Sequence, residues 1–437
     1  MPTAVPDWDA VHNEAIELLC QFLRIDTSNP PGNERLACDF IGDILEREGI
    51  PYELFDAGDD RVSLRAVLPG DGSKRPFMLL NHTDVVPVQR EFWDEEPFSG
   101  LIKDGHIWGR GALDMKGLGI VQLVTFLNLK RLGVPLARDV IFFAMADEEA
   151  GSEFGVRWLE RNHPESLDAE FVINEGGGGT TELFGVERPV YNVAVAEKGP
   201  VWLRLVAGGT PGHGSVPHSD NAVDRLTRAL GAIQVWQRPL SVSAGLQEYF
   251  SRLSRAGVYK GDPTAKGLEQ AAANDPRVRA LLSNTISATG LTAGVKVNVI
   301  PAFAEATLDC RLLPGVKPET FIAELEAVIG DAKVRIERIH TGWSETNSFD
   351  TELFRTIEDV IHDHMEEAVV VPGMTVGFTD SSTLRNRGQI SYGFSGGLTT
   401  PDVGRSVHGH NERVSIESLR INCGMVWEVT RRMCERA

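Results

Sequence analysis

Acids and imidazoles stand where the apolar runs of this sequence stop. "FMLLNHTDVVPV" (77–88) sets four apolar residues ahead of His82 and Asp84, which lie two apart and so project to one side of an extended chain. "VIFFAMADEEAGS" (140–152) ends in Asp147, Glu148 and Glu149, and "FVINEGGGG" (171–179) ends in Glu175 before four glycines. A fourth acid, Asp114, sits in "GRGALDMKG" (109–117), a glycine-rich loop entering a helix, whose N-terminus favours an anion. Carboxylates grouped in this way repel one another and raise each other's pKa, and a divalent cation relieves the repulsion. One imidazole among several acids suits zinc or another borderline metal better than magnesium. The acids outnumber what one tetrahedral zinc needs, which points to two metals sharing a bridging carboxylate. Of the adjacent Glu148 and Glu149, one would bind metal while the other takes a proton from water. Singly, these features have plain readings: a satisfied His–Asp pair, a solvated acidic loop, a flexible glycine turn. Their coincidence at three strand ends and one loop carries the argument.

The elements that must position them follow from periodicity. Residues 8–24 place Val11, Ile16, Leu19 and Leu23 near helical spacing. A second helix runs from the "TSNPPGNE" break to about Arg47, and another covers 117–133. Between such helices, the runs "FMLL", "VIFFAMA" and "FVI" predict buried strands of a sheet covered on both faces, whose ligands gather beyond the strands' carboxyl ends. After "EKGP" (197–200) the pattern changes. "VWLRLV", a helix over 221–236, strands at 294–300 and 304–313, a helix at 318–329 and a strand at 333–339 give the β-α-β-β-α-β order of a ferredoxin-like unit. Residues 238–292 interrupt it as an insertion expected to be helical. The chain then returns through a helix (350–364), the strand "AVVVPG" and a C-terminal helix after Ser415. The expected fold is α/β, a mixed and largely parallel sheet with an inserted α+β unit. The expected divisions are 1–198, 199–343 and 344–437.

At 437 residues, two or three domains are the natural expectation. The formal charge of −19 disfavours a nucleic-acid partner. Five scattered cysteines without a CxxC pair suit reduced thiols and a cytoplasmic location. No signal-peptide pattern and no apolar run of membrane-spanning length is visible.

The ordered motifs "NHTDVVPV", "WDEEPFSGLIKDGHIWGRGALDMKG", "ADEEAG", "INEGG" and "HGHNERV" resemble the M20 family of metallopeptidases and amidohydrolases, from "RIDTSNPPGNE" to the last motif. The resemblance implies a zinc-peptidase-like catalytic domain with a lid that forms homodimers in many members. It implies two divalent metals, zinc or alternatively cobalt or manganese. His82 and Glu175 would bind one, Glu149 and His408 the other, and Asp114 both. Glu148 would be the general base, and Asp84 would orient His82 through its other ring nitrogen. The family form His-Gly-x-Asn-Glu selects His408 and leaves His410 a neighbour. Lid residue His213, in "GGTPGHGSVPH", would reach the scissile carbonyl, often in the partner's site, with His218 structural. Asn298 and Arg311 would bind substrate. Arg311 shares a strand face with Asp309 and Thr307 and suits a substrate carboxylate. His12, His106, His163, His340, His362 and His364 read as structural or surface residues.

"DEEAG" departs from the x-Gly-Gly that follows DEE in many members, while Glu175 disfavours carbamoylase- and allantoate-type relatives, which carry His there. The implied activity is amide hydrolysis of N-acyl amino acids or short peptides with a free carboxylate. The alternative is a catalytically silent M20-like binding or scaffolding protein, which the filled ligand and base positions disfavour. A dinuclear phosphoesterase would want basic groups for phosphate and leaves the lid motifs without a purpose.

Overall fold

A computed structural model describes residues 5–436. Its main sheet has ten strands, and Phe77–His82 lies near the middle. Phe77 and Leu79 of this strand enter the larger hydrophobic core, while Met78 and Leu80 enter a separate core on the other face. A strand buried on both faces reads as a continuous apolar run rather than an alternating one. Val140–Met145 divides in the same way and pairs in parallel with Phe77–His82, His82 opposite Met145. Phe171–Asn174 pairs in parallel on the other side. The three strands are neighbours running one way, so their carboxyl ends share one edge of the sheet.

Helices cover both faces. Trp8–Phe22, Glu34–Arg47, Lys116–Arg131, Glu352–His364 and Ile416–Cys434 pack on the larger core. Val156–Asn162 and Ser381–Asn386 supply Val156, Leu159 and Leu384 to the other. Lys116–Arg131 is buried all round through Leu129, which explains why its sequence shows little amphipathic contrast. Val62–Leu68 adds antiparallel to Val140–Met145, and Ile390–Gly393 adds parallel to Phe171–Asn174. The expected strand near 368–373 is Val369–Thr375, parallel to the long strand Val186–Glu197. The sheet is mixed and largely parallel at its centre, as expected. Among the described residues no helix is long and apolar enough to cross a membrane.

A second, antiparallel sheet has its own core. Its strands lie in the order Thr285–Ala293, Phe303–Leu312, Gly199–Gly208, Val334–Thr341. Helices Ala222–Val235 and Pro318–Ile329 cover one face, with Leu226, Ile233, Phe321 and Leu325 buried against Leu203, Leu205 and Leu308. The β-α-β-β-α-β order is present, but one strand is not where periodicity put it. The strand expected at 294–300 is Thr285–Ala293, and 294–298 form its turn. Val295 and Val297 alternate without facing a core and are exposed. Thr285–Ala293 is an edge strand paired on one side only, so no core imposes an alternation on its sequence.

The insertion is helical only as far as residue 282, in Ala244–Arg255, Ala265–Ala272 and Pro276–Leu282. It leaves the second sheet and packs on the main sheet's flank. Leu253 and Val258 bury against Val190, Val369 and Val371, and Arg252 donates to the Val370 carbonyl at 3.1 Å.

Candidate metal centre

Each side chain at the shared edge is aimed by the element behind it. His82 is the last residue of its strand, Glu148 and Glu149 occupy a short turn of 3-10 helix after Val140–Met145, and Glu175 follows Asn174. Asp114 comes from the loop before Lys116–Arg131, and His408 from the loop before Arg413–Ser415. These residues form two ligand groups, His82–Asp114–Glu175 and Asp114–Glu149–His408, with Asp114 in both. His82 Nε2 lies 3.2 Å from Asp114 Oδ1 and 3.4 Å from Glu175 Oε1. His408 Nε2 lies 3.0 Å from Asp114 Oδ2 and 3.2 Å from Glu149 Oε2. A tetrahedral zinc with bonds of 2.0–2.1 Å keeps its ligand atoms about 3.3 Å apart. The two Asp114 oxygens therefore each face a separate cradle of the right size. His410 packs at a tilt against Phe92 instead, with ring centres 5.1 Å apart.

Glu148 stands inside the cluster, Oε2 4.0 Å from His82 Nε2, and belongs to neither group. Oε1 of Glu148 and Oε1 of Glu149 are buried without a hydrogen-bond partner, a costly state that a cation or its water would relieve. Burial lifts the Glu148 carboxyl well above its ordinary range, and the Glu175 charge adds to this. Burial and then the Asp114 charge push Glu175 up to about 8. Hydrogen bonds to Asp114 and Glu149 raise His408 to about 10. Without a cation, this cluster holds protons in its place. The donor set, its spacing and its excess of negative charge all fit two divalent metals.

A surrounding shell fixes these ligands. The Asp84 main-chain carbonyl accepts from His82 Nδ1 at 3.0 Å, which leaves Nε2 free as a ligand. The Asp84 carboxylate is 3.4 Å from the same nitrogen. Sequence reasoning gave Asp84 only the histidine, but its carboxylate also accepts the N–H groups of Glu148 at 3.2 Å and Glu149 at 3.1 Å. It therefore sets both glutamates as well. Asn29 Nδ2 donates to Asp84 at 2.8 Å and to Asp147 at 3.0 Å. Asp147 pairs with buried Arg61 and carries no ligand position.

Glu412 is fully buried. Its Oε1 accepts from the N–H of Leu113 and Asp114 at 2.8 and 3.1 Å, and Oε2 from Gly111 N–H and Arg110 Nη1 at 3.1 and 2.6 Å. Sequence reasoning missed Asn29 and Glu412, although both stand inside quoted motifs. "TSNPP" reads as a helix break and "HGHNE" as a histidine selector, and nothing local reveals partners 55 to 302 residues away.

His213, Asn298 and Arg311 belong to neither ligand group. His213 is exposed where Gly212–His213 pairs with Val299–Ile300, and its Nδ1 meets Ser215 Oγ at 2.7 Å. Asn298 is exposed beside it, its carbonyl accepting from Gly214 N–H at 2.9 Å. Arg311 is half-buried on the expected face. Asp309 holds it bidentately, from Nε at 2.8 Å and Nη2 at 3.1 Å, and the guanidinium lies against Trp202 and Phe378. His340, expected to be structural or surface, packs at a tilt on Trp202, with ring centres 5.1 Å apart, its ring against Gly151 of the "DEEAG" departure.

A cavity of about 590 Å³ opens beside Asp114, Glu175 and His408. It runs past the Gly176–Gly179 backbone to the C-terminal helix, at Leu419 and Asn422. The glycine tract is no slack turn, since a Cβ at Gly177 would sit 2.0 Å from the Gly393 carbonyl oxygen. Glycine is required there for close packing of main chain on main chain.

Comparison with known proteins gives a consistent picture. A sequence model described as Peptidase family M20/M25/M40 matches residues 78–430. The N-fatty-acyl-amino acid synthase/hydrolase PM20D1 of Xenopus tropicalis is 32% identical over 375 residues, covering 80% of this chain and 71% of that protein. Aminoacylase-1 of Sus scrofa is 28% identical over 410 residues, covering 92% and 90%. In fold, the chain is similar to the M20 family metallo-carboxypeptidase Sso-CP2 from Sulfolobus solfataricus. That likeness has a TM-score of 0.76 at 20% identity and covers 96% of this chain and 98% of that one.

Proposed function

The chain belongs to peptidase family M20/M25/M40, and from that premise we propose that it is a two-zinc hydrolase of the amide bond in N-acyl amino acids or short peptides with a free carboxylate. Amide hydrolysis is the activity of its relatives aminoacylase-1 and the N-fatty-acyl-amino acid hydrolase. The observation that carries the two-metal reading is Asp114, whose two oxygens face separate His-carboxylate pairs.

His82, Glu175 and Asp114 would hold one metal, and Glu149, His408 and Asp114 the other. When bound, the pair would acidify a water and polarise the amide carbonyl. Glu148 takes the proton of the attacking water and hands it to the leaving nitrogen. Its burial, which raises its proton affinity, suits both halves of that task. Asp84 keeps Glu148 and Glu149 in their separate roles by holding both N–H groups. Arg311, steadied by Asp309 through Nε and Nη2, presents Nη1 to the substrate carboxylate, with Asn298 as a second polar contact.

His213 donates to the carbonyl oxygen of a partner's substrate in a homodimer formed through the lid. Its exposure where Gly212–His213 pairs with Val299–Ile300, and the open edge that strand Thr285–Ala293 offers a second copy, support that arrangement. We take 1–198 and 344–437 as the catalytic domain and 199–343 as the lid. Five buried, unpaired cysteines favour a reducing compartment such as the cytoplasm. The test is hydrolysis of N-acyl amino acids and dipeptides before and after chelation, with zinc then restored. Activity indifferent to chelation, or absent from zinc-loaded protein across both classes, overturns the reading.

A further inference from the structure

We propose that Ser152 and Asp380 form a positioning pair, which holds the turn carrying Glu148 in the shape that lets it act as the base. This rests on the reading of Glu148 as the base and adds to it the residues that keep it aimed.

The turn is strained and needs an anchor. Asp147, Gly151 and Ser152 all have left-handed backbone, with φ of 67°, 106° and 63°. Two of the three carry side chains, and such residues persist only where their surroundings over-determine them. Asp147 is held by Arg61, by Asn29 and by the N–H of Phe154. Ser152, where the x-Gly-Gly form has its second glycine, is buried, and its hydroxyl donates to Asp380 Oδ1 at 2.6 Å. Its N–H closes the turn on the Asp147 carbonyl at 2.6 Å, and Gly151 N–H donates to the Glu148 carbonyl at 3.0 Å. Glu148 is thus tied through its own N–H to Asp84, and at the other end of the turn through Ser152 to Asp380.

Asp380 is placed as a fixed post. It is buried, its Oδ2 has no hydrogen-bond partner, and among the described residues the Ser152 hydroxyl is the one donor its carboxyl receives. Burying a half-satisfied carboxyl is costly, and packing alone would favour an apolar residue. Its neighbours are firmly bonded. Thr379 donates to Glu197 through N–H at 3.0 Å and Oγ1 at 2.8 Å, Glu197 pairs with Arg385 at 2.7 Å, and Ser381 Oγ accepts from Asn174 Nδ2 at 3.1 Å. The residues just before it, Gly377, Phe378 and Thr379, line the cavity beside the ligands, so the post belongs to the same loop as that wall.

The test separates aiming the base from stapling the fold. Ser152→Ala removes the hydroxyl and leaves the backbone strained, whereas Ser152→Gly removes both the hydroxyl and the strain. Loss of a hydrogen bond to a charged group is worth about 10–100-fold, so both variants should lose at least about tenfold in kcat, with KM and bound metal unchanged. A pair that merely stapled the fold would let glycine relax the turn and keep the wild-type kcat, and that result overturns the proposal. Asp380→Ala should match Ser152→Ala, and Asp380→Asn, which keeps an acceptor oxygen, should recover most of that loss. The double alanine variant should be no slower than either single one. Losses that multiply, or that follow loss of metal, overturn the proposal as well.

A second readout needs no turnover. Hydrogen exchange of the amides from Glu148 to Ser152 should quicken about tenfold or more in Ser152→Gly, while the strands Phe77–His82 and Val140–Met145 keep their protection. Unchanged exchange in the turn overturns the proposal. If the wild type cleaves no amide at all, the reading of Glu148 as base fails by itself, while exchange still decides whether the pair holds the turn.

Discussion

Replacing Glu412 with glutamine should weaken both metal sites, although Glu412 belongs to neither ligand group. Its carboxylate accepts four hydrogen bonds: Leu113 and Asp114 N–H on Oε1, and Gly111 N–H and Arg110 Nη1 on Oε2. Glutamine keeps the shape but turns one of those acceptor atoms into a donor. The cheaper orientation keeps the oxygen toward Arg110, so the amide nitrogen confronts the N–H groups of Leu113 and Asp114. Two charge-assisted bonds are then lost, at about 1.5–3 kcal/mol each, so the loop is destabilised by about 3–6 kcal/mol. The loop carries the one carboxylate that faces both histidines. Loss of such an outer contact typically weakens metal binding by about 10–100-fold. Competition titration with a chromogenic chelator, checked by elemental analysis, should show both sites weakened together. If Glu412→Gln binds two metals as tightly as the wild type, the loop does not depend on Glu412 and the reasoning fails. If only one site weakens, Asp114 is not shared.

Glu148→Gln should lose about 10²–10⁴-fold in kcat while keeping its metals, and metal loss instead would mean that Glu148 and Glu149 exchange roles. Asp114→Ala should empty both sites in elemental analysis, whereas His82→Ala should chiefly empty one. Mixing inactive His213→Ala with inactive Glu148→Gln subunits should restore some activity if the lid tip acts across a dimer, and subunits shown to exchange yet remain inactive would rule out the crossing. Burial, and then the Arg157 charge, lowers His340 from 6.5 to about 4. The unfolded chain therefore binds the extra proton first, and stability should fall as pH drops from about 6.5 toward 4. His340→Phe should flatten that limb of a denaturation-versus-pH profile, and an identical profile would remove the histidine from the account.

Much of the site was legible in one dimension because its ligands sit at sequence boundaries. An apolar run buried on both faces must end at the sheet edge, and His82, Glu149 and Glu175 mark three such ends in adjacent strands. Periodicity also found the helices, because burial on one face or all round writes itself into residue type. It failed at Thr285–Ala293, where an edge strand owes its pairing to the main-chain hydrogen bonds of its neighbour and not to a buried face. Tertiary structure alone decided the rest. Glu412 reaches the Asp114 loop across 298 residues, and Asn29 reaches Asp147 across 118. Where the insertion packs depended on which flank of the main sheet lay open to Leu253 and Val258. The cavity was likewise invisible in sequence, because its size comes from side chains that are missing along four glycines. Hydrophobic periodicity is set residue by residue along the chain, whereas hydrogen-bond partners and empty volume exist only after distant segments have met.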